Sequence, residues 1–499
     1  MMERHRTLIG KLIEQFRQSD PETELIETHI SSVILTDGFA YKFKKPVDFG
    51  FLDFSTLEKR EEYCREEVRI NGRFASVLDY EVVMVGGTPE APLLGTGPAI
   101  EYAVRMRRFD QADQLDRFAA AGRLTAGLID RMAGEIAGMH REAPAAGAAS
   151  DFGTPERVLR PVAENFALLE PFAFPRETGE KIARIREWSF ARHEALKPFF
   201  EKRKKEGYIR ECHGDLHLHN IALVEGEITP FDAIEFNPYF RWIDVISDLA
   251  FLLMDLDFIG ETGLSNRLLN HYLDVTGDYA ALRGLRFYQT YRAMVRVKVT
   301  ALRLGQEGIG SEEKAERLGE IDRYLDLALD YTQTPHPFLA LMHGLSGSGK
   351  SHAALFACGL SGGIRIRSDV ERMRLFGPGV YTPEATRATY GRLAALASEI
   401  MGTGFSVFVD ATFLKAWQRR MFEGTILSCR CDEETALTRI AGRQEAKSDI
   451  SEADREVYFM QKKSAEPLSP AEQKEVVSVD CNSEASMDKN IREFVASLP

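Results

Sequence analysis

A chain of 499 residues, 44% apolar and 28% charged, has room for several domains with large cores. Its net charge of −13 argues against a general nucleic-acid binder, which needs a basic surface to displace counterions, while leaving room for a local basic groove. No run approaches the ~20 apolar residues of a membrane span. The six cysteines are scattered, with only Cys429 and Cys431 close together, and so read as buried thiols of a reducing compartment rather than as a zinc site. A cytoplasmic protein without a membrane partner is expected.

Residues 1–20 mix charged and apolar groups as an amphipathic helix does and lack the apolar core of a signal peptide. The segment SSVILTDGFAYKFKKPV holds two alternating runs joined by Thr36-Asp37-Gly38, which predicts a hairpin. A helical period follows from about Asp53 to Leu78, and helical patterns dominate 111–205 around loops near 141–155 and 171–178. A strand-rich stretch at 209–236 precedes a helical region over 243–330. Thr332-Gln333-Thr334-Pro335-His336-Pro337 breaks the last helix, and the strand FLALMHG then leads into a Gly-rich loop. The domain boundary is placed there, giving residues 1–334 and 335–499.

The first candidate site starts from Ala40, Lys42 and Lys44, which share one face of the second hairpin strand because side chains alternate with period two. In the next helix, Leu57, Tyr63, Cys64, Val68, Phe74 and Leu78 define an apolar face with Glu67 at its middle and Glu66 near its edge. An ionised Glu there needs a cationic partner, since isolated burial costs several kcal/mol or forces protonation. A strand lysine supplies one, and such Lys–Glu pairs position ATP phosphates in kinases. In HGDLHLHN at 213–220, Asp215 is spaced as a base that orients or deprotonates an acceptor hydroxyl, and Asn220 as a Mg²⁺ ligand. ITPFDAIEF supplies a second acidic metal ligand, Asp232. His217 and His219 suggest zinc, but phosphoryl transfer already explains their loop. Asp244 and Asp248 are spaced i, i+4 on a helix and read as braces to the catalytic loop.

The second candidate site is GLSGSGKS at 344–351, a full match to G-x-x-x-x-G-K-[ST] after a strand and before a helix. Gly344, Gly347, Ser348 and Gly349 shape a loop around phosphate, Lys350 reaches its β and γ groups, and Ser351 binds Mg²⁺, with His352 next in the helix. IRIRSDVERMR ends a strand and starts a helix, with Ser368 and Glu371 spaced as a capping box. Asp369 thereby flanks the crevice where parallel α/β sheets bind ligands. FSVFV delivers Asp410 at a strand end as a Walker B-like acid. Arg439 and Arg443 share a helix face suited to a lid over transferring phosphate. The segment from Trp417 to Thr425 is short for the helix that usually precedes a strand.

EYAVRMRRF, HGDLHLHN, FDAIEFN and DVISDLAFLLMDL resemble the aminoglycoside phosphotransferase family of kinase-like folds, and the whole chain resembles bacterial fusions of such a domain to an AAA-type P-loop kinase domain. The resemblance implies an N-terminal α+β protein-kinase-like domain and a C-terminal α/β P-loop domain with a parallel sheet. It makes Asp215 the base, Asn220 and Asp232 the Mg²⁺ ligands, Lys42 the phosphate lysine, Glu67 its partner, and Glu101 to Val104 the adenine hinge. It makes Asp369 the activator of the second acceptor hydroxyl and Arg372 a substrate contact. No G-x-G-x-x-G precedes the lysine, where the turn reads His29-Ile30-Ser31-Ser32. The expected function is a bifunctional, ATP- and Mg²⁺-dependent phosphotransferase acting on a small hydroxylated molecule. The alternatives are a regulatory protein with one inactive ATP site and a C-terminal polynucleotide 5′-hydroxyl kinase.

Overall fold

The structure, a computed structural model, describes residues 1–50, 52–305, 310–333, 336–446 and 453–498. Residues 334 and 335, on which the expected boundary falls, lie outside the described residues. Two compact units are present, one formed by Met1–Thr125, Gly138–Pro171 and Phe190–Asp255, the other by Ala126–Ala137, Phe172–Ser189 and Leu256–Pro499.

The first unit opens with helix α1 (Met2–Ser19), the expected amphipathic helix. Its buried side chains Leu8, Ile9, Leu12 and Ile13 pack with Ile34, Tyr41, Phe43, Val85 and Ala103 of an antiparallel sheet. That sheet comprises β1 (Glu24–Glu27), β2 (Ser31–Leu35), β3 (Phe39–Lys44), β4 (Glu81–Thr88), β5 (Ala91–Leu94) and β6 (Glu101–Arg107), in the order β1-β2-β3-β6-β4-β5. The hairpin falls where the alternation placed it, with Leu35 opposite Ala40 and Val33 opposite Lys42. Helix α2 (Leu57–Phe74) follows β3, capped by Thr56, whose hydroxyl accepts from Lys59 N. Its buried seam is more polar than the periodicity predicted: Arg60, Cys64, Glu67, Ile70 and Asn71 are covered, whereas Leu57, Tyr63, Val68 and Phe74 are only partly so.

Helices α3 (Leu115–Ala120), α4 (Ala126–Glu142), α5 (Pro155–Leu169) and α6 (Arg176–Lys205) come next. Then follow β7 (Ile209–Glu211), the hairpin of β8 (Ile221–Val224) and β9 (Glu227–Pro230), α7 (Pro238–Arg241), β10 (Trp242–Asp244), which pairs with β7, and α8 (Val245–Phe258). Asp244 therefore ends a strand rather than sharing a helix face with Asp248, and its carboxylate takes the Arg203 guanidinium at 2.7 and 2.8 Å instead of bracing the catalytic loop.

The second unit includes α9 (Thr262–Thr276), α10 (Leu282–Leu304) and α11 (Ser311–Thr332), followed by an α/β layer. Its strands are β11 (Leu339–His343), β12 (Ile364–Arg367), β13 (Val407–Asp410), β14 (Thr425–Arg430) and β15 (Val477–Asp480), all parallel, in the order β12-β13-β11-β14-β15. The helices are α12 (Lys350–Ser361), α13 (Ser368–Phe376), α14 (Pro383–Met401), α15 (Ala416–Arg419), α16 (Glu433–Ala446), α17 (Arg455–Ser464), α18 (Glu472–Glu475) and α19 (Glu484–Ala496). Ala340, Met342, Phe408, Leu427, Val479 and Ile491 form the core beneath the sheet. Only the four residues of α15 lie between β13 and β14 as helix, as the short spacing predicted. The edge strand β12 is covered by α9, where Asn270 accepts from Arg365 N at 2.6 Å and so satisfies an edge donor.

Candidate active sites

In the first unit the short-period and helical-period readings converge on one cluster of charges. Lys42 Nζ donates to Glu67 at 2.9 Å and to Asp232, while Lys44 Nζ donates to the other Glu67 oxygen at 2.6 Å and to Glu235. Burial by itself would raise the Glu67 carboxyl, but the two ammonium groups outweigh it and hold it down at about 2. Glu235 moves the other way, pushed up by burial that Lys44 offsets only in part. Lys42 and Lys44 lose by burial and gain more from the surrounding carboxylates, so both stay charged.

The loop after β7 carries the second half of this site. The Asp215 carboxylate accepts from Asn220 Nδ2 at 3.0 Å and lies 3.3 Å from His217 Nε2. Gly214 sits at φ 86°, and a Cβ there would come within 2.7 Å of the Phe240 carbonyl oxygen, so this turn accepts no side chain. Asp248 accepts the N–H groups of His213 at 3.1 Å and Gly214 at 2.8 Å, the brace expected of it. The His213 ring spans the loop, taking the Asp215 N–H on Nδ1 at 3.3 Å and holding the Phe231 carbonyl through Nε2 at 2.8 Å. Burial keeps that ring's pKa low. Asn71, one helical turn after Glu67, accepts from Ala233 N at 3.0 Å and ties α2 to the Asp232 segment. Asp232 itself has φ 60°, a left-handed conformation uncommon for a non-glycine residue.

Glu235, Asn71, Asp255 (accepting from Leu218 N at 3.0 Å) and Gln114 (donating to the His219 carbonyl at 3.1 Å) escaped the sequence reading. Glu235 had a signal: it stands three residues after Asp232 as Lys44 stands two after Lys42, a second acid for a second lysine.

Glu101 to Val104, expected as the adenine hinge, fall in a strand. They lie inside β6, where Ala103 and Val104 pair with β3 on one side and β4 on the other, while Glu101 and Tyr102 pair with β4 alone. Glu101 is buried against Arg60 Nε at 2.7 Å, and Val104 lies across from Lys42. The exit from β6, at Arg108 to Asp110, is the segment outside the ladder.

In the second unit one cavity of about 1160 Å³ collects the remaining candidates: Gly347, Gly349, Lys350, Ser351 and His352 from the loop and α12, Asp369, Asp410, Arg439 and Arg443. Gly344 and Ser348 lie behind the loop; Gly344 N donates to the Thr412 carbonyl at 3.2 Å, and a Cβ on Gly344 would meet Cys429 O at 2.5 Å. Lys350 is buried, donates to the Leu345 carbonyl at 2.7 Å, and has its pKa lowered by burial despite Asp410. Gln461, not foreseen, accepts from Ser346 N of the loop through its side-chain oxygen at 2.9 Å. Arg439 donates to the Cys481 carbonyl at 2.7 Å and has Nη1 buried without a hydrogen-bond partner. The predicted capping box at Ser368 and Glu371 is absent: Ser368 is already helical, Arg367 precedes the helix without a side-chain cap, and Glu371 is drawn into ion pairs with Arg374 and Arg392. Asp369 nevertheless reaches the cavity.

Residues 339–468 match the family model described as an AAA domain. An uncharacterized protein of Mycobacterium tuberculosis (strain H37Rv) is 31% identical over 459 residues, spanning 87% of this chain and 90% of that one. Among solved structures, an amicoumacin kinase aligns over 65% of this chain and 96% of its own at 11% identity and TM-score 0.41. A sugar kinase from Janibacter aligns over 32% and 93% at 19% identity and TM-score 0.27. The chain belongs to the family of its mycobacterial relative, and within it residues 339–468 form an AAA domain.

Proposed function

We propose that the protein is an ATP-dependent phosphotransferase acting on the hydroxyl group of a small molecule, with one MgATP site in each kinase-like part, residues 1–334 and 335–499. The observation that carries the reading is the gathering of Lys350, Ser351, Asp369 and Asp410 around one cavity of the second unit. The donor sets suit Mg²⁺: a hydroxyl and a carboxylate at Ser351 and Asp410, an amide and a carboxylate at Asn220 and Asp232, all hard oxygen ligands. Bound there, the ion neutralises phosphate charge during transfer.

Lys42, fixed by Glu67, orients the nucleotide phosphates of the first site; Lys350 does so in the second. Asp215 and Asp369 each take the proton of an acceptor hydroxyl as its oxygen bonds to the transferred phosphorus and the bond from that phosphorus to the leaving diphosphate breaks. Arg439 and Arg443 line the same cavity, which supports a role in offsetting charge on the moving phosphoryl group. All six cysteines are free thiols, which supports a reducing cytoplasmic setting. Among the described residues no helix is long and apolar enough to cross a membrane.

The test is transfer of labelled γ-phosphate from ATP into a metabolite extract, comparing the native chain with Asp215→Asn and Lys350→Ala. A labelled small molecule lost in one variant assigns chemistry to that site; no small-molecule product in any sample rejects the reading.

A further inference from the structure

The second cavity holds more positive charge than nucleotide phosphates need, and the sheet order sorts that charge into two groups. β11, which delivers the phosphate loop, is central; β14 and β15 lie to one side, β13 and β12 to the other. On the β14 side, Arg439 and Arg443 of α16 join Lys350. On the β12 side, Arg367 at the strand end, Arg372 on α13 and Arg387 on α14 face the same space, with Lys415 beyond β13. Against these seven cations the described lining offers three carboxylates, Asp369, Asp410 and Glu484; Lys415 also meets Glu466 at 3.5 Å, and Arg367 shares Asp274, at 3.8 Å, with Arg365, so a surplus of about three stands in a chain whose net charge is −13. A Mg-bound nucleoside triphosphate brings about two net negative charges. A second anion balances the rest.

Space and geometry agree. At about 1160 Å³ the cavity exceeds the range of about 300–1,000 Å³ typical for one small ligand. Arg372 is buried and held: it donates to the Tyr381 hydroxyl at 2.9 Å and lies 4.0 Å from that ring's centroid. A guanidinium fixed in this way recognises carboxylate or phosphate through paired hydrogen bonds. Asp369, three residues earlier on the same helix, places a base next to it.

We propose that the acceptor in this cavity is a small anion, a hydroxylated metabolite bearing a carboxylate or phosphate group that Arg372 and Arg387 hold beside Asp369. This rests on the phosphotransferase reading of the same site. Its hydroxyl proton passes to Asp369, its oxygen bonds to the γ-phosphorus, ADP leaves, and the product is a phosphomonoester with two anionic groups. A polycation such as an aminoglycoside is repelled here, so any such acceptor belongs to the first site.

The experiment is calorimetric titration of the full chain saturated with Mg²⁺ and the non-hydrolysable analogue AMP-PNP, using inorganic phosphate, malonate and a short 5′-hydroxyl oligonucleotide as probes. We expect phosphate or malonate to bind, their relative affinities telling phosphate from carboxylate recognition. Arg372→Gln with Arg387→Gln should weaken that binding at least tenfold while AMP-PNP affinity stays within about twofold. Arg387→Gln alone, at an exposed position, should weaken it severalfold and guards against misfolding of the double variant. Neither small anion binding, or equal binding by the variants, overturns the proposal, as does an oligonucleotide that binds far more tightly through the same arginines. Loss of Lys350-dependent AMP-PNP binding would instead reject the phosphotransferase reading.

Discussion

Lys44 donates to Glu67 at 2.6 Å with both side chains at most 1% exposed, so the α2 carboxylate is anchored twice, once by the lysine that also reaches Asp232 and once by one that does not. The two lysines therefore divide their work. Lys42 reaches Asp232, the proposed metal ligand, whereas Lys44 and Glu235 form a buried pair beside it.

This division predicts different failures. Lys44→Met removes the ammonium group bonded to Glu235 and one of the two on Glu67, and should cost about 3–5 kcal/mol, read as a lower denaturant midpoint. Adding Glu235→Gln should recover part of that loss. Lys42→Met should cost less stability and abolish phosphotransfer at the first site. Equal destabilisation by the two single changes would contradict the assignment.

Asp215→Asn should lower turnover at the first site by about 10²–10⁴-fold, the usual contribution of a general base, with nucleotide affinity unchanged. Retained turnover in a Lys350→Ala background, where the second site is silent, would show that Asp215 is not the base.

Gly214→Ala should destabilise by about 1–3 kcal/mol and impair the first site, because the added methyl meets the Phe240 carbonyl and the backbone sits at positive φ. Gly147→Ala, with open space around its Cβ, is the control. A melting temperature no lower for Gly214→Ala than for the control would refute the steric account.

Asp257 supplies a pH test in the second unit. Burial raises its carboxyl to about 6, against the hydrogen bonds from Tyr331, at 2.6 Å, and Ser265. A group raised on folding stabilises below its unfolded pKa of 3.8, and that contribution is lost as pH climbs through about 6. That rise corresponds to about 3 kcal/mol. Asp257→Asn should therefore gain stability relative to the native chain between pH 4 and pH 8, as measured by urea unfolding. A difference that does not change with pH would discard the shifted carboxyl.

The local patterns were legible because they depend on neighbours in sequence. Period two put Lys42 and Lys44 on one face, period 3.6 put Glu67 on the buried side of α2, and the glycine spacing marked the phosphate loop. The expected hinge segment falls in a strand because EYAVRMR is equally readable as connector or strand, and only its pairing with β3 and β4 shows that it continues the sheet. The capping box failed because Glu371 found arginines one turn and twenty-one residues away.

What the sequence determined by itself was the identity and spacing of the groups proposed to handle phosphate, since strand alternation, helix periodicity and turn chemistry act over a few residues. What only the tertiary structure decided was who faces whom: Glu235 beneath Lys44, Asn71 holding Ala233, and the arginines of α13 and α14 sharing a cavity with the phosphate loop. Those pairings join residues as many as 191 positions apart, and burial and strand order, which no local pattern encodes, set them.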